Sequence, residues 1–266
     1  MKEPIHSNAI RRVAWITGAS SGIGRAVALR LADEGWMVAV SARSADKLLA
    51  LEELHPGRIH SFPMDITEQD AVTAGVSRIE DTLGPIFLTV LSAGGYKRDS
   101  AARFRGQALA EVITLNVIGT GFCLGAVIPR MLERHQGHIA VVSSVAGYVG
   151  LPGGAFYGAT KAALINLCES LYPELEREGI KLTVINPGFV DTPLTRKNDF
   201  PMPFLISVDE AADAIIKGLK SNRFEVIFPW KMALSIKLLR ALPRPLMFAI
   251  TRKMLRKPGG QSRSRD

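Results

Sequence analysis

Cysteine is nearly absent from this sequence. Two residues among 266, Cys123 and Cys168, both lie in apolar helical stretches without metal-ligand spacing. They read as reduced packing residues of a cytoplasmic protein, and no metal is expected. Residues 1–12 lack the apolar run of a secretory leader, so none is expected. Two long uncharged stretches are present, but neither reads as a membrane span. Val112–Pro129 reads as a buried helix with glycines at close packing points, and Ile139–Thr160 holds five glycines and a proline. Acidic residues are scarce in one place only. From Trp230 to Asp266 there are ten Lys/Arg and one acid, whereas residues 1–229 hold 23 basic and 24 acidic side chains. The body is therefore near neutral and the basicity belongs to the tail. That tail has no interleaved aromatic platform and no nucleic-acid motif, so no nucleic-acid partner is expected.

What is present centres on Ile139–Ala163. An apolar, β-branched strand runs from Ile139 to Ser143 and gives way to a Gly- and Pro-rich loop. A helix carrying Tyr157 and Lys161 follows, and the four-residue spacing puts both on one helix face. Ser144 falls where the strand ends, the place where open α/β sheets hold their chemistry. An ammonium beside a phenol stabilises its ionised form, and a serine hydroxyl can donate to a developing oxyanion. Upstream, the strand Val13–Thr17 runs into Gly18-Ala19-Ser20-Ser21-Gly22-Ile23-Gly24 and then a helix. Strand, glycine turn and helix form a phosphate-binding unit, because the backbone can approach a pyrophosphate that the helix N-terminus favours.

The second strand, Met37–Ser41, ends in Ala42-Arg43 rather than in the acid that holds a ribose 2′-hydroxyl. A guanidinium there suits a 2′-phosphate, which favours NADP(H) over NAD(H); Arg43 as a solvated loop residue is the plainer alternative. Asp65, after a strand expected over residues 59–64, suits either an adenine edge or the cap of a helix starting near Thr67. Asn116 lies in a long apolar helix over residues 107–131, where a buried amide must find partners. Further strands are expected at 86–91, 180–186 and 224–228, alternating with helices, which predicts a three-layer parallel sheet.

These features together resemble the short-chain dehydrogenases/reductases, in their shorter single-domain branch. The resemblance is carried by TGASSGIG at Thr17–Gly24, by Asn116, by Ser144 thirteen residues before Tyr157 in YxxxK, and by PGxVxT at Pro187–Thr192. It covers about residues 12–228. It implies a doubly wound, Rossmann-type seven-stranded parallel sheet with helices on both faces. It also implies a hydride-transferring oxidoreductase acting on a carbonyl or alcohol, with NADP(H) as cofactor. By the resemblance Tyr157 is the proton donor or acceptor, and Lys161 lowers its pKa and holds the nicotinamide ribose. Ser144 binds the carbonyl oxygen, and Asn116 positions a water in a proton relay. The cofactor would be held by Gly18, Ser20, Ser21, Gly22, Ile23, Gly24 and Arg43, with Asp65 and Ile66 at the adenine. Ser92, Ala93, Gly94, Tyr157, Lys161, Pro187, Gly188, Val190 and Thr192 would line the rest of its path.

Two departures stand out. Ser92 replaces the family's usual asparagine, a residue that braces the sheet. The last strand leads not to a tetramer-building segment but to Pro229-Trp230 and the basic tail, so a tetramer is not expected; the resemblance implies a homodimer formed through the helices containing Asn116 and Lys161. Residues 1–229 read as the catalytic domain and 230–257 as its amphipathic helical extension, split into helices at 231–241 and 245–257. Residues 258–266 read as disordered. Two readings of the extension stay open. It contacts anionic membrane peripherally, or it packs over the substrate cleft or a subunit interface. Both favour a lipophilic substrate. A non-catalytic NADP(H)-binding sensor or scaffold is the alternative to an enzyme.

Overall fold

The structure is a computed structural model and describes residues 12–198 and 200–255. The tail read as disordered, 258–266, lies outside these residues, as does the end of the second expected tail helix. Seven strands form one sheet: β1 Val13–Thr17, β2 Met37–Ser41, β3 Ile59–Ser61, β4 Ile86–Leu91, β5 Gly137–Val142, β6 Ile180–Pro187 and β7 Glu225–Phe228. Their spatial order is β3-β2-β1-β4-β5-β6-β7, and every pairing is parallel. The chain builds outward from β1 to β3, then crosses back and builds the other way from β4. The reversal between β1 and β4 opens a crevice at the strand C-termini, where ligands of such sheets bind.

The central strands β1, β4 and β5 are mostly apolar because both faces are covered. Val13 and Trp15 of β1 pack with Val72, Ile79, Val127 and Leu164, while Ala14 and Ile16 pack on the opposite face with Val27, Leu31 and Ile215. The first layer is supplied by α3 (Gln69–Leu83), α5 (Gly119–Glu133) and α6 (Ala155–Arg177). The second is supplied by α1 (Gly22–Asp33), α2 (Ala45–Glu52) and α7 (Val208–Leu219). Cys123 and Cys168 are buried in the first layer as free thiols, and burial pushes both up to about 12.

Two elements differ from the sequence reading. β3 pairs only over Ile59–Ser61, not to residue 64. Phe62 and Met64 still donate to Val40 O and Ala42 O, but Pro63 between them has no N–H to extend the ladder. The long apolar helix is not uniform. α4 (Gly106–Ile113) passes through a five-residue π turn, Thr114–Ile118, into α5. This 28-residue helix is long and apolar enough to cross a membrane, yet it carries core residues Val112, Cys123, Leu124, Val127 and Met131. After β7 come α8 (Trp230–Ala241) and α9 (Arg244–Arg252), separated where Pro243 and Pro245 interrupt the helical pattern.

Candidate functional site

The crevice floor is set by β1 and β4. Thr17 Oγ1 accepts hydrogen bonds from Ser92 N at 3.1 Å and Ala93 N at 3.2 Å, drawing the two loops together. The loops approach so closely that a Cβ on Gly18 would lie 2.7 Å from Ala93 Cα, and Gly18 has φ +68°. Only glycine meets both demands without strain. The chain then enters α1. Ser21 makes no side-chain cap, and no acid sits in the first turn. Among the described residues no side chain accepts from the amides of Gly22, Ile23 and Gly24, as a helix start facing a phosphate requires. On the far side, Thr192 closes in, its Cγ2 3.3 Å from where a Cβ on Gly22 would stand. Its loop is cross-tied: Thr195 Oγ1 donates to Val190 O and accepts from Thr192 N at 2.9 Å. Thr192 thus faces Gly22 across the crevice, on the segment that also carries Pro187, Gly188 and Val190.

Along its outer end, Arg43 is exposed after β2 and makes no ion pair among the described residues. Asp65 Oδ1 accepts from Thr67 N at 3.0 Å and Thr67 Oγ1 at 2.9 Å, so it organises the turn before α3. It does not cap α3 itself, whose N-cap is Glu68. Ile66 is buried against Gly119.

The inner end gathers the four proposed catalytic side chains. Ser144 follows β5; its Oγ accepts from Ala146 N at 3.1 Å and donates to Pro187 O at 3.4 Å. Tyr157 stands in the first turn of α6 with its ring edge-on to Tyr96, centroids 5.6 Å apart. Lys161 is buried, and its Nζ donates to Val142 O at 2.8 Å and sits 5.5 Å from the Tyr157 ring centroid. Asn116 is fully buried on the π turn. Its Nδ2 donates to Gly95 O and Thr160 Oγ1, both at 3.0 Å, and its Oδ1 accepts from Gly95 N at 2.7 Å. Thr160 Oγ1 in turn donates to Tyr157 O at 2.7 Å, joining the π turn to α6. Gly94 closes the group, for a Cβ there would meet Asn116 Oδ1 at 3.4 Å and Lys161 Nζ at 3.6 Å.

The electrostatics differ from the expectation at one point. Burial pushes the Tyr157 phenol up to about 12, with the neighbouring Ser144 hydroxyl acting the other way and Tyr96 adding to the rise. The ammonium of Lys161, turned toward Val142 O, does not offset this. Burial lowers Lys161 to about 8. Near pH 7 the phenol holds its proton and the lysine its charge, the states a proton donor and an anion-holding cation require.

Sequence reasoning missed the residues that seat α6. Asp99 is buried, and its Oδ2 accepts from Phe156 N at 2.8 Å, capping the helix from a separate loop. Tyr96 OH donates to Gly153 O at 3.0 Å, and Phe104 stacks edge-on against Phe156. No periodicity marks such loop residues; the only signal was their place just after β4.

The short chain dehydrogenase family profile matches residues 12–201. An "uncharacterized oxidoreductase" of Myxococcus xanthus is 39% identical over 246 residues, covering 91% of this chain and 97% of that protein. The chain belongs to the short-chain dehydrogenase/reductase family. A second oxidoreductase, from Staphylococcus haemolyticus, is 35% identical over 78% of this chain and 90% of its own length. A short-chain dehydrogenase of Streptomyces avermitilis shares the fold at TM-score 0.79 and 24% identity, over 92% of this chain and 99% of that one. ElxO, solved with NADP bound, superposes at TM-score 0.74 and 25% identity, over 82% of this chain and 98% of its own. The protein is thus an oxidoreductase of this family. The glycine turn and the start of α1, with no side-chain cap and no acid in its first turn, fit the phosphates of a dinucleotide cofactor.

Proposed function

We propose that this oxidoreductase interconverts a lipophilic ketone or aldehyde and the corresponding alcohol, with NADP(H) preferred over NAD(H). The observation that carries the reading is the convergence of Ser144, Tyr157 and Lys161 at the end of β5, with Lys161 Nζ anchored on Val142 O. The nicotinamide, when bound, supplies or accepts the hydride. In reduction Tyr157 Oη donates its proton to the carbonyl oxygen, and in oxidation it takes the hydroxyl proton. Ser144 Oγ donates a hydrogen bond to the same oxygen and holds it beside the phenol. Lys161 Nζ, with one donor used on Val142 O, has two left for the ribose and for a water leading to Asn116. The Asn116 side chain is committed to Gly95 and Thr160, so it positions that end of the relay by fixing the backbone rather than by touching substrate.

Arg43, exposed and next to Ala42, which stands where an acid would bind a ribose 2′-hydroxyl, supports the NADP(H) preference. Tyr96, Phe104, Leu151 and Phe189 give the surroundings an apolar character, which supports a lipophilic substrate. The reading includes a cytoplasmic homodimer. Its support is the outward side of α5 and α6, where Ile128, Leu132 and Leu171 line a shared groove. The test is consumption of NADPH and of NADH over a panel of lipophilic ketones and aldehydes. Turnover with NADPH, and weaker turnover with NADH, is expected. Binding of NADPH with no turnover across the panel would favour a sensor, and equal use of both cofactors would remove the Arg43 argument.

A further inference from the structure

The last two helices do different things with their two sides. α8 seats Met232 and Ile236 against Val145 and Val149, in the loop that begins at Ser144. Met232 also reaches the backbone at Gly188, where a Cβ would lie 3.0 Å from its Cγ. The helix is therefore fixed to both loops that flank the catalytic group. Its opposite side carries Trp230, Leu234 and Leu238 at i, i+4 and i+8, exposed by 69%, 53% and 60%. One helix face thus holds a second apolar stripe that none of the described residues covers. By helical spacing Lys231 and Lys237 flank this stripe on either side. α9 exposes Leu246 and Ile250 four residues apart on one side and Phe248, two residues from each, on another. Of fourteen exposed large apolar side chains among the described residues, eight lie between Trp230 and Leu255. That concentration makes a surface rather than scattered singles.

Charge decides what fits it. Residues 230–255 hold six Lys/Arg and no acid. Lys237 is paired with Glu225, and Arg240 lies over the Tyr148 ring. Arg244, Arg252 and Lys253 form no ion pair among the described residues. A second copy docked face to face would set this all-positive surface against itself, because an isologous contact pairs a patch with its own copy. An anionic bilayer meets both features: acyl chains accept the apolar stripes, and headgroups accept the cations.

We propose that α8 and α9 form a docking surface for anionic phospholipid bilayers, lying in the interface plane and holding the catalytic loops next to the lipid. Docking itself is independent of the reaction. Its consequence, access to a carbonyl dissolved in the bilayer, rests on the function proposed above. The test is co-sedimentation of the full chain with vesicles of phosphatidylcholine alone and of phosphatidylcholine mixed with phosphatidylglycerol. Binding to the mixed vesicles is expected to be about tenfold or more stronger, and to weaken with added salt. Leu234→Glu with Leu238→Glu is expected to lower it by about tenfold or more, with an unchanged unfolding temperature since both side chains are exposed. Arg244→Gln with Arg252→Gln and Lys253→Gln should remove the preference for anionic lipid while leaving the fold intact. Equal binding by the parent and the leucine variant, equal binding to both vesicle types, no binding at all, or self-association through this face would each overturn the proposal. None of these readouts depends on turnover, so failure of the docking and failure of the proposed reaction are distinguishable.

Discussion

Substituting Gly18 by alanine tests the packing that builds the cofactor crevice. Two costs apply there. The residue has φ +68°, and a left-handed conformation costs a non-glycine residue roughly 1–2 kcal/mol. The new methyl would also stand 2.7 Å from Ala93 Cα and 2.8 Å from Ala93 N. Those are backbone atoms tied to Thr17 Oγ1, so they yield poorly, and overpacking of this kind costs typically about 1–3 kcal/mol. The total is about 2–5 kcal/mol, or a fall of roughly 4–20 °C in unfolding temperature for a domain of this size. Gly35→Ala is the control. Gly35 has φ +86° with nothing within 4 Å of its would-be Cβ, so it carries the conformational cost alone. The assay is thermal or urea unfolding of parent and both variants, alongside NADPH binding. Gly18→Ala should be less stable than Gly35→Ala by about 1–3 kcal/mol and should bind NADPH more weakly, whereas Gly35→Ala should bind as the parent does. Equal destabilisation by the two substitutions would refute the close approach of the β1 and β4 loops.

Three other outcomes are expected. His138 is buried, and desolvation with the Lys181 charge lowers it to about 4 from the ordinary 6.5. The unfolded chain therefore binds the extra proton first, so stability present above pH 6.5 is lost as pH falls toward 4, by up to about 3 kcal/mol. His138→Gln should flatten that part of a pH–stability curve measured by urea unfolding. Asp99→Ala removes the acceptor for Phe156 N and should cost about 1–3 kcal/mol by thermal unfolding, with a lower kcat as Tyr157 loses its seat. Asp99→Asn, which keeps an acceptor oxygen, should recover part of both. Arg43→Ala should raise KM for NADPH by about 10–100-fold and leave KM for NADH nearly unchanged, as loss of a charge-assisted contact to a 2′-phosphate requires.

The legible parts of the fold were those with a local physical cause. β1, β2 and β4 begin and end where their apolar runs do, because glycine turns and polar loops stop buried strands abruptly. The Ser144, Tyr157 and Lys161 grouping was legible because a strand end and a single helix turn fix it. The π turn was not, since one extra residue in a helix leaves the apolar pattern on either side intact; Asn116 was its only trace. Asp99 and Tyr96 act across a tertiary contact that no spacing encodes. The rise of the Tyr157 pKa was equally hidden, for adjacency to Lys161 can be read from spacing and desolvation cannot. In the tail, amphipathic character was readable, but not that α8 has two apolar faces with only one of them packed.

The central claim is that Tyr157 moves the proton. It is tested most directly by NADPH consumption with a carbonyl substrate in the parent and in Tyr157→Phe, with NADPH binding measured for both. The account predicts that the variant folds and binds NADPH like the parent but loses turnover by about a hundredfold or more, the typical contribution of a general acid. Turnover undiminished in Tyr157→Phe would contradict it.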